Sequence, residues 1–256
     1  MPSPSYLELD PANGVARRIA YHKTDARGEG ETQPGVVFLG GFKSDMDGTK
    51  ALRMEEWAKA GGRQFLRFDY RGHGQSSDSF ENGCIGDWAD DAVEAIGRLT
   101  TGPQILIGSS MGGWISLLAA RVIGARIAAF VGIAAAPDFT EDGMWAEMTE
   151  AERKTLIEEG RIERPSEYSD EPYVFTRKLI EDGRRHLVLR SPVSFTGPVR
   201  LLQGTADADV STETALRLLS HIEGPDVRLT LVQGADHRFS GERELALLIE
   251  TVEAVS

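Results

Sequence analysis

The pentapeptide Gly108-Ser109-Ser110-Met111-Gly112 matches the pattern Gly-x-Ser-x-Gly at a point where a strand is expected to become a helix. Residues 104–107 before it are typical of a buried strand, and residues 113–121 after it are typical of a helix. So sharp a turn strains the backbone of its central residue and needs small neighbours. It also holds the serine hydroxyl clear of the sheet, beside the amide groups of a helix N-terminus. We therefore predict that Ser110 is a nucleophile; the alternative is a glycine-rich turn with an incidental serine.

Two late strands supply the other groups that a nucleophilic serine needs, a base to take its proton and a carboxylate to orient that base. Residues 199–202 form a predicted strand, followed by a loop that contains Asp207 and Asp209. Residues 227–232 form another, followed by His237. Because open α/β sheets place their sites at the carboxyl ends of strands, we expect both loops at the sheet edge that carries the serine.

The positions of the five histidines favour His237 as the base. His237 directly follows a predicted late strand, which is where a triad base is needed. None of the other four occupies such a position; these are His22, His73, His186 and His221. With His237 taking the proton of the serine and later activating water, the predicted reaction is transfer of an acyl group to water.

Acyl transfer also needs two backbone N–H groups aimed at the developing oxyanion. One is expected from Met111, which directly follows the predicted nucleophile. The other is expected from the loop after the early strand 35–39, where Phe42 is the candidate donor. Gly41 lets the backbone approach closely at this point.

Several stretches of the chain resemble the α/β-hydrolase superfamily of serine hydrolases, over nearly the whole length. Residues 67–76, Arg-Phe-Asp-Tyr-Arg-Gly-His-Gly-Gln-Ser, are similar to the loop that follows strand four of that fold. Residues 40–51 and 108–114, with Ser191-Pro192, resemble the group of mitochondrial palmitoyl-protein thioesterases and acyl-glucuronide esterases. This resemblance implies hydrolysis of acyl esters and thioesters, with a triad of Ser110, Asp207 and His237.

The choice of Asp207 over Asp209 rests on the same resemblance. Gly204-x-x-Asp207-x-x-Val210 is similar to the Gly-x-x-Asp-x-x-Val stretch that carries the acid in this superfamily. Asp209 is then a solvated loop residue or a cap for the following helix.

The resemblance further implies an α/β fold of the α/β-hydrolase type, in which helices flank a mostly parallel eight-stranded sheet. Alternation of strands and helices stops between residues 137 and 191, so we expect a hydrolase core from residues 1–136 and 192–256. The charged segment 137–191 is expected to be a helical lid inserted after strand six. Asn13-Gly14 predicts a hairpin turn near the N-terminus.

Apolar residues at helical spacing in this segment are candidates for the wall of an acyl-binding tunnel. Trp145 and Met148 are the predicted substrate contacts, because methionine and aromatic side chains adapt well to flexible apolar chains. The alternative is that these side chains only pack the lid onto the core.

The charge, the cysteine count and the apolar content of the chain argue against several classes of function. A net charge of −12 argues against partners such as nucleic acid or an anionic membrane, and no apolar stretch is long enough to span a bilayer. The single cysteine, Cys84, excludes an internal disulfide, and we expect neither a metal nor a cofactor. The first ten residues lack the blocks of a signal peptide and the arginines of a transit peptide, which favours a cytoplasmic protein.

The expected partner is a small ester or acyl thioester, or an acylated protein. Two other functions stay open: a carbon–carbon bond hydrolase with the same triad, and a non-catalytic receptor for small molecules. The motifs leave the acyl length and the leaving group open, because selectivity depends on the shape of the pocket.

Overall fold

The computed structural model describes residues 3–12, 15–165 and 172–256. The predicted turn at Asn13-Gly14 lies outside these residues. The strands of the described chain are β1 (Ser5–Ala12), β2 (Val15–Thr24), β3 (Gly35–Leu39), β4 (Phe65–Phe68), β5 (Gln104–Ser109), β6 (Ile127–Ile133), β7 (Arg161–Arg164), β8 (Tyr173–Thr176), β9 (Val193–Ser194), β10 (Val199–Gly204), β11 (Ile222–Glu223) and β12 (Val227–Val232).

The α-helices within the same ranges connect these strands and cover the sheet. They are α1 (Thr49–Ala60), α2 (Ile85–Leu99), α3 (Met111–Ile123), α4 (Glu150–Glu159), α5 (Arg177–Gly183), α6 (Thr212–His221) and α7 (Glu242–Glu253). Short 3₁₀ turns occur at Gly28–Thr32, Phe80–Asn82, Gly124–Arg126 and Arg184–His186, and a π-helical turn spans Thr140–Trp145.

Eight of the described strands form one sheet in the order β1-β2-β4-β3-β5-β6-β10-β12. β2 runs antiparallel to both of its neighbours, β1 and β4, and all other adjacent strands are parallel. The predicted mostly parallel eight-stranded sheet is therefore confirmed.

The central strands are buried on both faces, which is why they read as continuous apolar runs. In β3, Val36 and Phe38 pack into one core cluster, whereas Val37 and Leu39 pack into the cluster on the opposite face. Trp114 and other residues of α2 and α3 fill one layer, and residues of α1 and α7 fill the other. Because these strands are parallel, their carboxyl ends all lie at the same edge of the sheet, and the loops that follow them meet there.

The segment 137–191, between β6 and β9, is not the wholly helical insertion that the sequence predicts. Besides α4 and α5 it contains an antiparallel hairpin of β7 and β8. The residues of β8, Tyr-Val-Phe-Thr, are β-branched or aromatic, and they favour a strand over the helix expected throughout this segment. α4 itself begins with a capping box of Thr149 and Glu152 and ends at Gly160, whose φ is 83°.

From the packing of the core we predict how much a cavity within the sheet lowers the free energy of unfolding. Phe130 of β6 is fully buried, and its ring lies 6.2 Å from that of Phe195. We expect Phe130→Ala to lower the free energy of unfolding by about 3–5 kcal/mol, because the lost contacts leave a void. Urea unfolding followed by circular dichroism measures this.

Leu231→Ala is the matched control, since Leu231 also lies in a strand of the sheet but is 45% exposed. We expect its effect to stay within about 0.5 kcal/mol. Equal costs for the two variants would contradict the assignment of Phe130 to the core.

Candidate active site

Ser110 lies at the turn between β5 and α3, with a φ of 52° and a ψ of −117°. Its N–H donates to the carbonyl oxygen of Ile133 at 2.9 Å, and its carbonyl oxygen accepts from Ala136 N–H at 3.1 Å. A Cβ on Gly112 would lie 2.1 Å from the carbonyl oxygen of Leu39, so only glycine fits there. These contacts hold a serine in a backbone conformation that is rare for any residue with a side chain.

Asp207 and His237 follow β10 and β12, and the parallel register of these strands brings the two loops together. Nδ1 of His237 lies 3.0 Å from Oδ2 and 3.1 Å from Oδ1 of Asp207. The side chain of Asp207 is fully buried, whereas that of His237 is 19% exposed. A carboxylate can only accept, so Nδ1 carries the proton and Nε2 is left as the basic nitrogen.

The environment of Asp207 keeps its carboxyl group ionised. Burial by itself would raise the pKa of Asp207, but hydrogen bonds from His237 and from the amides of Val210 and Asp209 outweigh it and lower the pKa below its usual value. Both amides donate to Oδ1, and Nε2 of Gln203 donates to Oδ2 at 3.0 Å. The carboxylate is therefore both charged and fixed in direction.

A hydrogen bond links the loop that carries His237 to helix α1. The ammonium of Lys50 donates to the carbonyl oxygen of Arg238. Burial lowers the pKa of Lys50 to about 8; Asp236 and Asp207 oppose this shift, and Arg238 adds to it.

Asp207, Asp209 and His237 also form a group whose possible metal-ligand atoms all lie within 4.8 Å of one another. The oxygens of Asp207 already accept from two backbone amides, from Gln203 and from His237. Little acceptor capacity is left for an ion, so the donor set fits a hydrogen-bonded pair better than a metal site.

Met111 and Phe42, the predicted oxyanion donors, belong to two segments next to Ser110. Met111 is the first residue of α3, so its N–H has no partner within the helix. Phe42 lies in the loop after β3, where a Cβ on Gly41 would be 3.5 Å from the Cβ of Ser110. The loop backbone therefore passes directly against the serine.

A cavity of about 590 Å³ opens above Ser110 and His237. Its wall includes apolar residues, among them Phe42 and Gly41 of the loop after β3. The other apolar contributors come mainly from segment 137–191; they are Phe139, Met144, Pro165, Tyr173 and Phe175. Charged side chains stand around the same space, among them Lys43, Lys50, Glu147, Arg164, Asp209 and Arg238.

The structure does not place the two predicted substrate contacts, Trp145 and Met148, on the wall of this cavity. Met148 is buried inside segment 137–191 with Leu156 and Phe175. The ring of Trp145 lies between the guanidinium groups of Arg153 and Arg184, 5.1 Å and 4.4 Å from its centroid.

Met144 lines the cavity instead. Met144 belongs to the same set of apolar residues at helical spacing. That spacing alone did not show which of these residues would line the cavity. Met144 lies in the π-helical turn at Thr140–Trp145.

Residues 36–250 match the alpha/beta hydrolase family, and the chain belongs to this family. A curated relative from cattle, named palmitoyl-protein thioesterase ABHD10, mitochondrial, is 37% identical over 224 residues, which cover 86% of this chain and 72% of the relative. The resemblance stated from the sequence motifs is confirmed.

Two solved structures are similar over nearly their whole length. A protein from Agrobacterium vitis S4, provisionally described as a hydrolase, is 38% identical with a TM-score of 0.94 and covers 100% of this chain and 99% of its own. Mouse alpha/beta hydrolase domain-containing protein 10 is 32% identical with a TM-score of 0.87 and covers 98% of both chains.

The expectation of a cytoplasmic protein is corrected by these relatives. The five matching curated proteins are all named as mitochondrial. The names of the relatives point to mitochondria, so the composition of the first ten residues was not a sufficient basis for the prediction. Among the described residues, no helix has the length and the apolar character that a membrane span requires.

The competition between the two carboxylates can be tested directly. We expect Asp207→Asn to lower kcat by about 10⁴-fold, because the amide favours the wrong tautomer of the histidine. Asp209→Asn should cost far less, since the carboxylate oxygens nearest to His237 Nδ1 belong to Asp207. Steady-state kinetics on a p-nitrophenyl ester measures both, and a larger loss for Asp209→Asn would reverse the assignment.

Proposed function

We propose that this chain is a serine hydrolase of acyl esters and thioesters that acts through a covalent acyl-enzyme on Ser110. The family and the names of the relatives support the reaction class. The observation that carries the proposal is the hydrogen-bonded pair of Asp207 and His237 at a cavity that also contains the strained Ser110.

In the first half of the reaction, Nε2 of His237 takes the proton of Ser110 as Oγ attacks the acyl carbonyl carbon. Asp207 holds the ring through Nδ1–H and stabilises the imidazolium that forms. The leaving alcohol or thiol departs with the proton from Nε2, and the acyl group stays on Oγ.

The negative charge that develops on the carbonyl oxygen is stabilised by the N–H groups of Met111 and Phe42. Both are backbone donors, and donors that are fixed before the reaction need no reorganisation when the charge appears. In the second half, His237 activates a water that attacks the acyl-enzyme, and the same two donors act again.

The apolar part of the cavity supports an acyl chain as the substrate group. Phe42, Phe139, Met144 and Phe175 give the cavity that Ser110 lines an apolar wall. In this proposal segment 137–191 is a lid, because it supplies most of that wall, and the acyl chain extends beneath it. The relatives named palmitoyl-protein thioesterase favour a long chain and a thioester link, carried by a small molecule or by a protein.

The serine mechanism is tested with p-nitrophenyl esters from acetate to palmitate and a palmitoyl-thioester reporter. We expect activity on at least one series in the wild type, and its loss to the detection limit in Ser110→Ala, because no nucleophile remains. A fluorophosphonate probe, read by intact-protein mass, should add once to the wild type and not to Ser110→Ala.

Ser116→Ala is the matched control, since Ser116 lies in α3 with its hydroxyl bonded to the carbonyl oxygen of Gly112 at 2.7 Å. We expect this variant to keep its reaction with the probe. Activity that persists in Ser110→Ala would contradict the proposal. Absence of wild-type activity on every substrate would favour a carbon–carbon bond hydrolase or a receptor.

The position of Met144 predicts chain-length selectivity. We expect Met144→Ala to lower kcat/KM for the palmitate ester roughly tenfold more than for acetate, because only a long chain contacts this part of the wall. Trp145→Ala and Met148→Ala, which do not reach the wall, should change both rates by the same factor. A chain-length profile left unchanged by Met144→Ala would place the acyl chain elsewhere.

A further inference from the structure

His73 lies in the loop that follows β4, directly behind the loop that carries Phe42. Among the five histidines, all of them in described positions, it alone is buried, at 3% exposed. Its ring packs edge-on against three aromatic rings, with centroids 5.0 Å from Trp88, 5.1 Å from Phe80 and 5.5 Å from Tyr70. The mechanism above does not use this side chain.

The two ring nitrogens of His73 have different partners. Nδ1 lies 3.2 Å from the carbonyl oxygen of Arg71, which can only accept, and Nε2 lies 3.3 Å from the backbone nitrogen of Lys43, which can only donate. A single neutral tautomer, protonated at Nδ1, satisfies both partners. Burial lowers the pKa of His73 to about 4, with opposing contributions from the carbonyl of Arg71 and from Asp91, so the ring is neutral at physiological pH.

Lys43 is the residue directly after Phe42, and its backbone is in the left-handed region with a φ of 56°. This conformation is costly for lysine and persists where surrounding contacts impose it. The Lys43 N–H belongs to the peptide group that follows the Phe42 residue. The bond to His73 therefore fixes one of the two peptide planes that meet at the Cα of Phe42, and the other plane carries the Phe42 N–H.

The side chain of Lys43 is held as well. Its ammonium donates to the carbonyl oxygen of Pro172 at 3.3 Å and lies 5.2 Å from the ring centroid of Tyr173. Besides the bond from Lys43 to His73, a second hydrogen bond joins the loop after β3 to the loop after β4. The N–H of Met46 donates to Oδ1 of Asp69 at 2.7 Å. The loop after β4 thus supports the loop after β3 along its length.

We propose that His73 is a positioning residue for the oxyanion hole: its Nε2 accepts the Lys43 N–H and so keeps the Phe42 N–H aimed at the oxygen of the tetrahedral intermediate. This inference rests on the proposed serine mechanism. His73 itself does not touch the substrate in this arrangement.

The test compares His73→Leu, which removes the acceptor, with His73→Gln, whose Oε1 reaches about as far as Nε2. We expect His73→Leu to lower kcat by about tenfold to hundredfold, somewhat less than the 10²–10³-fold loss on deleting an oxyanion donor, with little change in KM. His73→Gln should restore most of the rate.

A trifluoromethyl ketone separates positioning from general damage to the fold. It captures the serine as a tetrahedral adduct with an anionic oxygen, so its inhibition constant should rise in His73→Leu by about the factor by which kcat falls. Thr100→Val is the control. Thr100 is also buried but does not line the cavity. The substitution removes one hydrogen bond that the Thr100 hydroxyl donates and one that it accepts. It should lower stability without changing the inhibition constant.

If His73→Leu does not fold, His73→Asn replaces it, since the shorter amide cannot reach Lys43 whereas that of His73→Gln can. A measurement on the wild type is independent of all variants: ¹⁵N NMR of the histidine rings should show His73 protonated at Nδ1 at pH 7.

An Nε2-protonated His73, or a folded His73→Leu or His73→Asn with unchanged kcat and inhibition constant, would overturn the inference while leaving the serine mechanism intact. A wild type that neither hydrolyses esters nor binds the ketone would instead overturn the serine mechanism, and this inference with it.

Discussion

The strained turn at Ser110 is the constraint on which the rest of the site depends. A serine with a φ of 52° is held there by bonds to the carbonyl oxygen of Ile133 and the amide of Ala136, both at the end of β6. Helix α3 can start directly after this turn only because Gly112 lets it approach the end of β3. Three adjacent parallel strands therefore have to be correctly paired before the hydroxyl is presented, so that the geometry of the nucleophile is a property of the whole sheet.

The edge of the sheet that carries the loops is organised by three buried aspartates. Asp69, Asp138 and Asp207 each follow a strand, and each accepts two backbone N–H groups from loop residues. Burial raises the pKa of Asp69 and of Asp138, although these hydrogen bonds oppose it. Only Asp207 has a histidine partner, and its pKa is lowered instead. Buried aspartates that accept loop amides thus anchor the loops at Asp69 and Asp138. In the proposed mechanism, Asp207 also supports the base.

Much of the core was predictable because its signals are local. Strands β3 and β12 have the bounds expected from the sequence, and the pairing of Asp207 with His237 agrees with their places after two late strands. Segment 137–191 was predicted less well. Its hairpin packs against the core through contacts between residues that are distant in the sequence, such as the rings of Phe175 and Phe42, whose centroids are 6.4 Å apart. Hydrophobic spacing could therefore not choose between Met144 and its neighbours.

The amino-acid sequence by itself determined the order of strands and helices in the hydrolase core, the elbow at Ser110 and the residue types that the proposed reaction requires, since each depends on a few consecutive residues and their backbone preferences. Tertiary structure alone decided which side chains line the cavity and what supports the oxyanion loop. Met144 lines the cavity while Met148 is packed inside its own segment, and His73 reaches Lys43 across 30 residues of chain. Such contacts depend on the relative orientation of packed elements, because side-chain direction is set by the position of each backbone in the folded molecule.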